Sequence, residues 1–153
     1  MSIQNLSRAI AENTSNDAFA LALSVQQWDV LANYLAPIDV NVGDVLIAQD
    51  AQDRSVYFIE SGTLSVHRVS SKDQMRLAVL PPGSVVGEGS FFSRQPHSAN
   101  VVATSAGRVW RLTAVRFAEM SNRQPNLALE LAMGLGAVIA KRMAHRSKRV
   151  AVT

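Results

Sequence analysis

Apolar positions along this chain follow two different periods. Trp28, Leu31 and Leu35 recur at helical spacing, and Pro37 ends the run. Ser24 and Gln27 stand three apart, the spacing at which a hydroxyl caps the third amide while the glutamine reaches back, so a helix is predicted over roughly 25–35. The first ~16 residues lack clear periodicity and read as a loose arm or short helix. From Ile38 the period drops to two. Val40–Val42, Val45–Ile47, Val56–Ile59, Thr63–Val69, Met75–Leu80, Val85–Val86, Asn100–Ala103 and Arg108–Leu112 read as short strands. Gly43-Asp44, Ser61-Gly62 and Pro81-Pro82-Gly83 punctuate them as turns. Leu64, Val66 and Arg68 fall on one face of their strand. After Leu112 the helical period returns, with Thr113 capping a short helix over about 114–121 and Pro125 opening a long one over about 126–146.

Many short strands at close spacing predict a mainly β fold, a jelly-roll barrel or double-stranded β-helix with flanking N-terminal and C-terminal α-helices, because closure hides strand edges. The expected layout is an N-terminal arm at 1–18, a domain at 19–146 (barrel about 38–112, C-terminal helices about 114–146) and a basic tail at 147–153. Leu131 to Ala140 carries no charge, so the last helix needs burial on two faces, one against the barrel and the other against a second copy. Gly134 and Gly136 would permit the close approach of a homodimer through 126–146.

Composition narrows the chemistry. The 153 residues suit one domain, and 48% hydrophobic residues are enough for a packed core. Zero cysteine removes disulfides, Cys-ligated zinc and thiol catalysis, and fits a cytoplasmic setting. No membrane span or secretory leader is recognisable. Fifteen basic against twelve acidic residues look cationic, but Lys141, Arg142, Arg146, Lys148 and Arg149 all follow the last acid, Glu130. The remainder is slightly acidic, so the charge does not argue for nucleic acid. His67 and His145 have no neighbouring ligands in sequence, so neither a metal site, a cofactor nor an enzyme is expected.

The informative stretch runs from Gly83 to Ala99. Gly87 and Gly89 let backbone amides approach a ligand, a helical turn over Ser90–Ser93 would suit an anion, and Glu88 would accept from hydroxyls beside it. Phosphate beside sugar hydroxyls means a nucleotide. With Gly43-Asp44, Tyr57-Phe58-Ile59-Glu60-Ser61-Gly62, Pro82-Gly83, Gly87-Glu88, Phe117 and Pro125-Asn126-Leu127 in order, the chain resembles the cyclic nucleotide-binding domain family over about 19–146. That resemblance implies a standalone regulatory module, without a helix-turn-helix, that senses cAMP or cGMP. It assigns Gly87, Glu88, Gly89, His97, Ser98 and Ala99 to the phosphate and ribose. The family's cassette arginine is replaced here by His97, and a histidine offers at most one good bond per nitrogen where arginine is bidentate and permanently charged. Binding is therefore expected to be weakened, with Arg94 the substitute cation the sequence offers. Two other readings stay open: a degenerate scaffold for protein–protein interaction or dimerisation, and a more remote one in which the basic tail meets nucleic acid.

Overall fold

The period-two segments fold as two four-stranded antiparallel sheets that face each other. The computed structural model describes residues 2–71 and 73–152. One sheet holds β1 (Ala36–Val40), β8 (Gly107–Thr113), β3 (Ser55–Ser61) and β6 (Val85–Val86) in that order. The other holds β2 (Val45–Ile47), β7 (Asn100–Ala103), β4 (Leu64–Val69) and β5 (Gln74–Leu80). Non-sequential neighbours in both sheets are the mark of a jelly roll, and the mainly β fold with helices before and after it is the one expected.

Alternation along each strand builds two cores. Val40, Ile47, Tyr57, Ile59, Leu64, Leu80, Val86, Val101 and Val109 point between the sheets and form the barrel interior. The other face of β3 and β8, with Val56, Phe58, Trp110 and Leu112, meets the helices. Gly43 and Gly62 turn the chain at φ of 91° and 84°, backbone that side chains with a Cβ rarely adopt.

The helices depart from expectation in informative ways. α2 (Val25–Ala32) carries the capping box, with Gln27 N donating to Ser24 Oγ at 3.1 Å and Ser24 N to Gln27 Oε1 at 2.9 Å. It stops before Pro37, because Pro37 belongs to β1, an edge strand where a missing N–H is tolerated. The predicted arm is α1 (Gln4–Glu12), and Ile3, Leu6 and Ile10 on its inner face join the same core as Trp28 and Phe58. Phe19 is buried against Phe58, so the segment between α1 and α2 is also part of the domain. α3 (Glu88–Ser93) begins two residues earlier than the expected turn. α4 (Ala114–Arg123) is capped by Thr113 as expected.

α5 (Pro125–Val152) continues as helix through the segment assigned to a basic tail; the side chains of 147–153 lie outside the described residues. Its Leu131, Leu135 and Val138 are fully buried, whereas Leu129, Met133 and Met143 are 62%, 67% and 65% exposed. The two glycines separate by face. A Cβ on Gly134 would lie 2.8 Å from Phe19 Cε1, while one on Gly136 would meet nothing within 4 Å. Gly134 therefore serves the core, and only Gly136 is on the outward face.

Candidate functional site

β6 delivers the cassette to one end of the barrel. Tyr57 pairs with Val86, so Gly87 follows directly beside the start of β3. Gly87 has φ 91°, and a Cβ there would lie 2.4 Å from the Ser55 carbonyl oxygen and 3.3 Å from Ile47 Cδ1. Only glycine fits, and what approaches it this closely is the chain's own β3 backbone. Gly89 is exposed and unobstructed. Ala99 is buried and Ser98 exposed, its carbonyl accepting a long 3.4 Å bond from Arg68 Nε.

Glu88 is buried at the start of α3, yet only one of its oxygens has a partner. Oε1 accepts from Arg142 Nη1 at 2.5 Å, and Oε2 is buried with no hydrogen bond among the described residues. Arg142 also donates Nε to Asp17 Oδ2 and Nη2 to the Val85 carbonyl, both at 2.8 Å. Burial pulls the guanidinium down, but the charge of Glu88 and the Asp17 bond outweigh it and raise it above its ordinary range. Burial likewise pushes the Asp17 carboxyl up, and Arg142 more than reverses this, holding it below the usual carboxylate range. Lys141 Nζ reaches the Ala18 carbonyl at 3.1 Å, so α5 and the 17–18 segment clasp each other at the cassette. Sequence reasoning left Arg142 among the tail charges. Its partners stand 54 and 125 residues away, and no local spacing could reveal them.

His97 does not stand free in the cassette. Its ring is 5% exposed, and Nε2 lies 2.8 Å from the Asp53 carbonyl and 3.3 Å from Asp53 Oδ1. His97 N donates to Ala51 O and Asp50 N to His97 O, at 2.9 and 2.8 Å. The residue thus staples the cassette to the loop between β2 and β3. Arg94, the anticipated substitute, is exposed and closes α3 at φ 63°. An open groove of about 590 Å³ at the Ser61 end of β3, lined by Arg8, Glu12, Asn13 and Glu60 among others, shares no lining residue with this constellation.

The model of the cyclic nucleotide-binding domain family matches residues 38–124, and the chain belongs to that family. Glutaminase 2 of Bradyrhizobium diazoefficiens is 32% identical over 71% of this chain and 17% of its own length. The Pycsar effector protein BcPycTIR of Burkholderia cepacia is 31% identical over 78% of this chain and 37% of its own. The chain therefore spans well under half of these curated relatives. A cyclic nucleotide-binding domain from Methylobacillus flagellatus superposes with TM-score 0.83 at 17% identity, covering 97% of this chain and 82% of that one, which shows the shared fold. No helix among the described residues is long and apolar enough to cross a membrane.

Proposed function

We propose that this domain is a regulatory module that binds cAMP or cGMP, with Glu88 taking the ribose 2′-hydroxyl and Gly87, Gly89, Ser98 and Ala99 lining the cyclic phosphate. One observation supports the reading: Glu88 Oε2 is a buried acceptor without a donor among the described residues, next to Gly87 at the start of α3. A buried oxygen left unpaired costs on the order of 1–3 kcal/mol, which a ligand hydroxyl would recover. Calorimetry with cAMP, cGMP and their 2′-deoxy analogues tests it. The ribose forms should bind at least about tenfold tighter than the 2′-deoxy forms. Absence of heat at millimolar ligand removes the reading.

A second reading, a scaffold that keeps the fold without the nucleotide, is favoured by one feature: the His97 ring is committed to Asp53 rather than to a ligand. Either reading accommodates a homodimer through α5. Leu129, Met133, Gly136, Ala140 and Met143 repeat at alternating four- and three-residue steps on its exposed face, the seam of a two-helix contact. Light scattering of the wild type and of Met133→Glu should give dimer and monomer masses; a monomeric wild type rejects the seam. A cytoplasmic setting belongs to the same proposal, on the absence of cysteine.

A further inference from the structure

We propose that Arg111, on β8, supplies the guanidinium for the cyclic phosphate that position 97 lacks. The inference rests on the nucleotide-binding reading above. Trp110 and Leu112 face the helices, so Arg111 shares with Val109 the face that lines the barrel interior. Register gives the same answer. Arg111 lies opposite Tyr57, an interior residue, and Tyr57 lies opposite Val86, one residue before Gly87. Ser55 closes the remaining step: its carbonyl is the atom that bars a Cβ from Gly87, and its hydroxyl accepts from Arg111 Nε at 3.1 Å. The Arg111 head therefore sits under the cassette, one residue from its first glycine.

That head is uncommitted. Neither Nη atom of Arg111 has an acceptor, and no carboxylate pairs with it within 4 Å, among the described residues. The competing guanidinium groups are spent or outside. Arg54 places Nε and Nη2 on the Phe91 carbonyl, Arg142 donates from all three of its nitrogens, and Arg68 and Arg94 are exposed. Burial pushes the Tyr57 phenol up; the Arg111 charge and the Ser55 hydroxyl oppose it and the Asp53 charge adds to it, so the guanidinium and one carboxylate both act on this ring. A half-buried guanidinium that pairs with no carboxylate among the described residues is costly, and two free Nη groups match two oxygens of a phosphate.

The test is calorimetry of wild type, Arg111→Gln, Arg111→Lys and, as a control, Arg8→Gln in the groove at the Ser61 end of β3, with cAMP and cGMP at low and high salt. Arg111→Gln should bind at least about tenfold more weakly and lose most of the salt dependence, Arg111→Lys should fall between, and Arg8→Gln should stay within about threefold of wild type. A structural role alone would lower affinity equally at both salts. In a ¹⁵N spectrum of the wild type, the Arg111 Nε–H signal should move on adding the nucleotide, which keeps the proposal testable even if Arg111→Gln folds poorly. Wild-type binding with an unaffected Arg111→Gln, or with an unmoved Arg111 signal, overturns the Arg111 assignment and leaves the nucleotide reading standing. A wild type silent to both nucleotides overturns the nucleotide reading and this assignment together.

Discussion

Replacing Arg142 by methionine isolates the clasp that holds Glu88. Three hydrogen bonds disappear, to Asp17, Glu88 and the Val85 carbonyl, and two of them involve carboxylates. Bonds to charged groups contribute roughly 1.5–3 kcal/mol each when buried. Arg142 is 25% exposed and Asp17 35%, so solvent screens the Asp17 arm and little is assigned to it. Glu88 is different. Its side chain is 11% exposed, and the variant leaves both of its oxygens without a donor among the described residues. Breaking a buried pair from one side costs about 3–5 kcal/mol, and discounting for the exposed edge of Arg142 leaves about 2–4 kcal/mol. Urea denaturation at pH 7 should read that loss for Arg142→Met. Glu88→Gln combined with Arg142→Met should lose less than the two single losses added, with a coupling of about 1–3 kcal/mol. An Arg142→Met loss below about 1 kcal/mol, or strict additivity, would refute the buried clasp.

Other perturbations separate causes in the same way. Gly134→Ala should destabilise, because its Cβ meets the buried Phe19 ring at 2.8 Å and overpacking of about 1–3 kcal/mol exceeds the helix-propensity gain; Gly136→Ala should instead raise stability by up to about 1 kcal/mol in the monomer. Equal effects in thermal melts would mean the two faces are misassigned. Asp17 titrates below its usual 3.8, so its contribution is present above that pH and fades as pH falls through the lower folded value. Asp17→Asn should accordingly lower stability at pH 7 and narrow its gap to wild type below about pH 3.8, and a gap constant with pH counts against the pairing. His97→Arg should gain at least about tenfold in cyclic nucleotide affinity if the cassette tolerates losing the Asp53 staple. Equal or weaker binding would mean the imidazole's structural work outweighs the added charge.

Much of the fold was legible because short-range patterns wrote it. The branched runs at 56–59 and 64–69, the Gly43 and Gly62 turns, the Ser24–Gln27 box and the Thr113 cap each depend on neighbours within four residues, and each took its expected form. α1 was faint since only Ile3, Leu6 and Ile10 mark its inner face over nine residues, too few for a confident period until the core receives them. Pro37 misled because a helix stop and an edge strand tolerate the same missing N–H.

For the site, the sequence alone determined local identities, Gly87, Glu88 and the histidine at 97, and the missing Cβ at Gly87 permits the φ of 91° that the fold imposes. Only the tertiary structure decided what surrounds them. It brought Asp17 and Arg142 to Glu88, turned His97 onto Asp53, faced Arg111 into the barrel, and sorted Gly134 from Gly136. Those outcomes are fixed by sheet register and helix docking, which sum contacts over more than a hundred residues of separation, and charges and hydrogen bonds act through space rather than along the chain.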